Sequence, residues 1–176
     1  VAASPGLGTP DWRAAVAALR TAPPFLVSRL WLDRPVRADR PGFLGTSGYD
    51  GLDNVSVLDR YEGEAARWAA RTGGSVVELH AYAVTGAADR RAVRDRLLAG
   101  LHRVYPETRQ ARVVDSRHAW HADCPLFTVG SHARRPAVAT PHPRVVLAGD
   151  AIRCDLPVAL MERAATTGFL AAGALL

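Results

Sequence analysis

Several groups of residues in this chain have the type and spacing to do chemistry. The most concentrated lies near the C-terminal end. Arg144 to Ala148 is a short apolar run of the kind expected for a strand buried on both faces, followed by Gly149 and Asp150. A glycine there removes a side chain where a ligand or another backbone could come close. Asp150 offers an acceptor for sugar-like hydroxyls at the carboxyl end of the strand, the usual ligand edge of an open α/β sheet. Asp155 and Pro157 are good helix-start residues, and the free amides near Leu160 and Met161 would present a positive helix end to something negative. Ala164, Gly168 and Ala172 repeat every four residues, a small stripe that permits close helix-to-sheet packing. A plain buried strand and helix would carry the same residues.

Other constellations compete. His118-x-x-His121-x-x-Cys124, with Asp123 beside it, has ligand types at metal-like intervals. Residues three apart on a strand face opposite sides, so no metal is expected there. Ser116, His118 and Asp115 formally supply a hydrolytic set, but no nucleophile-elbow glycines surround a serine. Arg29 and Glu78, each inside a predicted strand, could pair, which is more often architecture than catalysis. Trp31, Trp120 and Tyr82 suit either an aromatic core or the wall of an apolar tunnel facing a cation.

The elements that must position these residues are read from periodicity. A helix is predicted from Pro10 to Arg20, ended by Pro23-Pro24, then a strand from Phe25 to Leu32 with Arg29 as its polar member. Residues 33–53 read as loop or hairpin, Val55 to Leu58 as a short strand, and Tyr61 to Arg71 as a helix stopped by Gly73-Gly74. Ser75 to Val84 is the clearest strand, with Val77, Leu79 and Ala81 on one face and Val76, Glu78, His80 and Tyr82 on the other. Asp89 to Val104 is an amphipathic helix, Ala111 to His121 a strand, Pro125 to Pro143 irregular, and Pro157 to Leu175 the last helix. The class is α+β: a mixed β-sheet covered by helices, plus a final strand–helix unit.

Composition narrows the setting. The chain has 176 residues, 48% hydrophobic and 22% charged, which excludes a disordered tail, a collagen-like rod and a disulfide-stapled miniprotein. All 22 basic residues are arginine, dispersed and never in a block longer than two, so nucleic acid is not an expected partner. The net charge of +5 is compatible with weak attraction to an anionic membrane surface. Two cysteines, Cys124 and Cys154, fit a reducing cytoplasm. No apolar run approaches a membrane span. The start at Val1 and the apolar stop from Ala164 to Leu176 suggest a fragment.

Val145-Val-Leu-Ala-Gly-Asp150 followed by Pro157-Val-Ala-Leu-Met-Glu-Arg-Ala-Ala-Thr-Thr-Gly-Phe-Leu-Ala-Ala172 resembles the C-terminal flavin motif of the amine oxidase and phytoene desaturase superfamily. The resemblance implies FAD as cofactor. It places Gly149 and Asp150 along the ribityl-phosphate arm, and Pro157, Leu160, Met161 and Ala164 at the helix start facing the isoalloxazine. A helix N-terminus would stabilise the charge of reduced flavin. Arg163 stands where many superfamily members have a small residue. The interior strings Phe25–Pro35, Leu52–Ser56, Gly74–Tyr82 and His121–Phe127 are similar to isorenieratene synthases, bacterial enzymes that aromatise carotenoid β-ionone rings. The diphosphate-gripping Gly-x-Gly-x-x-Gly turn is absent, and Gly6-Leu-Gly8 does not replace it.

The resemblance therefore implies a C-terminal part of such an enzyme: residues 1–143 as the substrate-binding part and 144–176 as the last flavin-binding strand and helix. The missing N-terminal part and a hydrophobic carotenoid are the implied partners. Arg29, Trp31, His80, Tyr82, His118, Trp120 and His121 are assigned to the substrate pocket. The implied reaction removes hydride from the ring to flavin, lets a geminal methyl migrate, and dehydrogenates further. It needs a dry apolar tunnel and a positioned flavin, and no strong acid or base if hydride leaves first. No catalytic side chain follows from the resemblance, and the fragment alone is expected to be inactive. The expected location is cytoplasmic, with peripheral contact at the inner face of the membrane left open. A flavin oxidase acting on another carotenoid, a porphyrinogen or an amine is the first alternative. A non-catalytic carotenoid- or lipid-binding module is the second.

Overall fold

The computed structural model describes residues 3–4, 6–85 and 89–176. Backbone packing divides the chain into two compact units, Pro23–Ala122 and the pair of segments Val1–Ala22 and Asp123–Leu176.

Among the described residues of the first unit, five strands form one sheet. They are β1 (Phe25–Leu32), β2 (Phe43–Gly45), β3 (Asn54–Val57), β4 (Ser75–Ala81) and β5 (Val113–His121), in the spatial order β2-β3-β4-β1-β5. Every pairing is antiparallel, so the sheet is not mixed as expected. β2 and β3 form a hairpin, a loop joins β1 to β2, helices carry β3 to β4 and β4 to β5, and no parallel crossover is present among them.

Strict alternation in β1 buries Leu26, Ser28, Leu30 and Leu32 and leaves Phe25, Val27, Arg29 and Trp31 on the other face. β4 pairs in register with it, so Leu79 lies opposite Ser28 and Glu78 opposite Arg29. A helix from Arg90 to Val104, labelled α3, covers the first face. Its Val93, Leu97 and Leu101 recur every four residues and join Leu26, Leu30, Val77 and Leu79 in one core. The Asp89 carboxylate caps the helix by accepting from the Arg91 N–H at 3.0 Å. A shorter helix, α2 (Gly63–Thr72), covers one end of the opposite face, where Ala65 and Trp68 pack on Val76 and Trp31. It stops at Gly73, whose φ of 73° is left-handed. At the following Gly74 a Cβ would lie 2.0 Å from the Leu32 carbonyl oxygen, so only glycine lets the chain pass so close to β1.

The second unit is thinner. Helix α1 (Pro10–Ala17) buries no side chain, and helix α4 (Leu160–Leu175) buries only Thr167 and Ala171. A small core of Val138, Ile152 and Ala171, with Val146 and Leu147 packed on it, holds the unit together. Here the structure departs from expectation three times. Arg144–Ala148 is not a two-sided buried strand. It makes one isolated bridge, Ala139 with Val146, and is only half-buried, because no neighbouring strand among the described residues offers it a ladder. The last helix begins at Leu160 rather than Pro157, because a tight turn from Leu156 to Val158 (Val158 N–H to Leu156 O, 2.8 Å) diverts the chain at the proline. Asp155 therefore caps nothing, and the residue before the helix is Ala159, which has no side-chain acceptor. The stripe Ala164, Gly168, Ala172 is not the contact face either: a Cβ at Gly168 would meet nothing within 4 Å.

Candidate flavin corner and open sheet face

Two regions carry candidate chemistry, one in each unit. In the thinner unit, Gly149 and Asp150 form a corner pinned to α4. The buried Thr167 hydroxyl accepts from the Gly149 N–H at 2.9 Å and itself bonds toward the Gly149, Arg163 and Ala164 carbonyls. Gly149 has φ 136°, which disfavours any side chain, and the space where a Cβ would stand is open to beyond 4 Å. Asp150 presents its backbone carbonyl to Arg163 Nη1 at 3.4 Å. Leu160 and Met161 are the first two helical residues, 57% and 82% exposed, so their amides lie free at the helix start. Ala164 is half-buried one turn on, and Pro157 is exposed outside the helix.

Two residues that sequence reasoning missed, Phe127 and Arg135, join Arg163 in this unit. The Arg135 and Arg163 guanidiniums each lie 4.6 Å from the centroid of the Phe127 ring. Arg135 Nε and Nη1 are buried without a hydrogen-bond partner among the described residues. Burial first, and the Arg163 charge next, push the Arg135 pKa down. Two guanidiniums on one ring, with orphaned donors, suit an anionic group. An open glycine corner suits close approach of a ligand backbone. Both features fit a flavin nucleotide. Nothing in the spacing of Phe127, Arg135 and Arg163 announces the sandwich.

In the other unit, alternation sorts the seven substrate-side candidates by face. Arg29, Trp31, His80, Tyr82 and His121 share the face opposite α3. His118 and Trp120 pair with Ser28 and Leu26 and so lie on the α3 face. There, His118 Nδ1 lies 2.8 Å from Ser28 Oγ, and burial, aided by the Arg94 charge, lowers its pKa. Trp120 sits under the Arg90 guanidinium and packs on the core. The same alternation separates His118 from His121, which stacks on Phe25 at 4.9 Å.

The face away from α3 carries a continuous polar chain. Arg29 donates from Nε and Nη2 to Glu78 Oε2 at 2.9 and 2.7 Å, confirming the pair expected from sequence. Glu62 lies 3.6 Å from Arg29 Nη1. Glu78 Oε1 is 3.0 Å from His80 Nε2, and His80 Nδ1 is 2.7 Å from Tyr82 Oη. Asn54 Nδ2 donates to that same phenol oxygen at 3.0 Å. The His80 hydrogen bond, helped by Arg29 and opposed by burial, holds the Glu78 carboxyl below its usual pKa. A hollow of about 270 Å³ beside this chain is lined by Val27, Arg29, Glu78, Arg117, His118 and Ala119. The spacing Glu78-x-His80-x-Tyr82 on one strand was the signal available in the sequence, since every second residue shares a face.

The whole chain, residues 1–176, matches the flavin-containing amine oxidoreductase family, and it belongs to that family. It is 73% identical over all 176 residues to a carotenoid phi-ring synthase of Streptomyces griseus, covering 34% of that protein. It is 40% identical over 171 residues to a carotenoid phi-ring synthase of Chlorobaculum tepidum, covering 26% of it. The chain thus spans about a third or less of the length of these curated relatives. An oxidoreductase from Methanosarcina mazei has a similar fold, with a TM-score of 0.61 and 16% identity over 91% of this chain and 36% of its own. The resemblance to the amine oxidase superfamily therefore holds, and the relatives bear the name phi-ring synthase rather than isorenieratene synthase. Among the described residues no helix is long and apolar enough to cross a membrane.

Proposed function

We propose that this chain is the C-terminal part of an FAD-dependent oxidoreductase that desaturates and aromatises carotenoid β-rings. The observation that carries the reading is the 73% identity, over every residue of the chain, to a carotenoid phi-ring synthase. Gly149, Asp150, Leu160, Met161 and Ala164 would hold the flavin, with Pro157 beside them. Arg135 and Arg163 would supply positive charge to an anionic part of the nucleotide. When bound, FAD accepts the hydride that leaves the ring. The rest of the full-length protein supplies the diphosphate-binding turn that this chain lacks.

The open face of the sheet, with Phe25, Val27, Trp31, His80, Tyr82 and His121, would receive the ring. Residues 1–143 then act as the substrate-side part and 144–176 as the cofactor-side part, a functional division that cuts across the compact units. The carotenoid is drawn from a bilayer, so the enzyme works in the cytoplasm in peripheral contact with the inner face of the membrane. Cells that make β-carotene and carry the full-length parent gene should accumulate carotenoids with aromatic end rings. Unchanged β-rings, alongside abundant flavin-loaded protein, would overturn the reading.

A further inference from the structure

Each time two hydrogens leave a ring, one departs as hydride and the other as a proton. A bound flavin would take the hydride; the proton needs a base. A cation adjacent to a C–H bond makes that proton so acidic that a neutral imidazole suffices.

We propose that Glu78, His80 and Tyr82 form the proton acceptor of the ring-aromatising reaction, with Tyr82 Oη as the atom that meets the substrate. The inference rests on the functional reading above. Its geometry is that of a carboxylate orienting an imidazole that in turn polarises a hydroxyl. An ionised Glu78 only accepts hydrogen bonds, so His80 must carry its proton on Nε2, which donates to Oε1 at 3.0 Å. In the neutral ring Nδ1 is then bare, and the Tyr82 hydroxyl, 2.7 Å away, can donate to it. Asn54 donates to the phenol oxygen at 3.0 Å, which leaves that oxygen one lone pair for a substrate proton. Arg29 holds the far oxygen of Glu78 through two hydrogen bonds and fixes its orientation.

Burial grades along the chain in the direction the role requires. The Glu78 and His80 side chains are 16% and 21% exposed, while Tyr82 at the outer end is 51% exposed. The Tyr82 backbone is clamped as well, since its N–H donates to Asp53 Oδ2 at 2.6 Å. The step balances. The ring C–H bond beside the cationic carbon breaks, and its electron pair becomes the new C=C bond. The proton passes to Tyr82 Oη as the phenol's own proton passes to His80 Nδ1. The imidazolium so formed is held by the Glu78 carboxylate. Glu78 and Arg29 are positioning residues; within the relay Tyr82 is the member whose reacting atom meets the substrate proton.

The test uses the full-length, FAD-loaded enzyme. Selective ¹⁵N-histidine labelling, with His80 assigned through His80→Asn, should show the Nε2–H tautomer, and Tyr82→Phe should shift the Nδ1 resonance. A protonated Nδ1, or an Nδ1 signal indifferent to Tyr82→Phe, overturns the relay. In a first anaerobic turnover on β-carotene, which one flavin limits to a single hydride, Tyr82→Phe should still bleach the flavin while the first ring-dehydrogenated product forms about a hundredfold more slowly. Ring carbons captured by water should appear as hydroxylated products. Equal slowing of bleaching and product, or unchanged product, rules the role out. Tyr82 is half-exposed, so the Phe variant should still fold, with a melting temperature lowered only by the lost Asn54 and His80 hydrogen bonds, even if His80→Asn does not fold. A wild-type enzyme that leaves β-carotene untouched overturns the parent reading itself; one that converts it, with variants converting equally, overturns only the relay.

Discussion

The two compact units hold their chains in different ways. Pro23–Ala122 encloses a core of fourteen buried residues spread over sheet and helix, ten of them at 1% exposure or less. The unit made of Val1–Ala22 and Asp123–Leu176 has three buried residues in its core, and much of α4 is bare: Met161 and Phe169 are 82% and 80% exposed. Regular alternation builds the first. The second relies on single bridges, on polar pins such as Thr167, and on arginines stacked over Phe127. Dense apolar packing resists change at any one site through many neighbours, whereas a pinned corner depends on a few hydrogen bonds.

Truncation in the two cores tests this contrast with the largest effect. Leu97→Ala, at 1% exposure among sheet and helix side chains, should cost about 4 kcal/mol, near the upper part of the range for such deletions. Ile152→Ala in the smaller core should cost about 2 kcal/mol, because its loosely held surroundings can collapse. Denaturant titration of both would break the comparison if the two costs came out equal. A middle-sized effect is expected at the pin. Thr167→Val keeps the shape but leaves the Gly149 N–H without its acceptor, for a loss of about 1–3 kcal/mol, and Thr167→Ser should restore most of it. Weaker flavin retention by the full-length protein, read by its absorbance after gel filtration, should accompany the loss.

The smallest effect is on pH. Burial lowers the pKa of His118 and of His102, with Arg94 and Arg109 adding to it respectively. Both are therefore neutral in the fold and more readily protonated when unfolded. The unfolded chain binds more protons below the ordinary histidine value of 6.5, so stability falls as pH drops through and below it. Melting curves of Pro23–Ala122 residues followed by near-ultraviolet circular dichroism should show that fall, and His118→Gln should reduce it. A rise in melting temperature on acidification would contradict the assignment of these two histidines.

The same contrast explains what could be read from sequence. Phe25–Leu32 and Ser75–Ala81 were legible because period-two burial writes itself into residue type, and the Arg29–Glu78 pair followed from their registers. Helix α3 announced itself through Val93, Leu97 and Leu101. The segment Arg144–Ala148 reads as a strand by composition, but whether an apolar run pairs depends on a neighbour that local sequence cannot reveal. The helix start was misplaced for a similar reason: Pro157 serves a turn as readily as a first helical position. At the candidate site, seven residues were named from residue type together with the family resemblance. Their division into five and two followed from strand register, which also sets Glu78, His80 and Tyr82 in line.

Gly74 has a consequence for how this protein can vary. Its α-carbon slips past the Leu32 carbonyl where no methyl group could fit, so the connection from α2 into β4 has no slack. Inserting or deleting a single residue between Gly73 and Ser75 would rotate every side chain of β4 by half a turn, sending Glu78 and His80 into the oily interior and Val77 and Leu79 out to water. Length at that junction is therefore under tighter restraint than identity at most surface positions, and a homologue with an altered spacing there would have to rebuild the hydrogen-bonded chain of Glu78, His80 and Tyr82 on another strand.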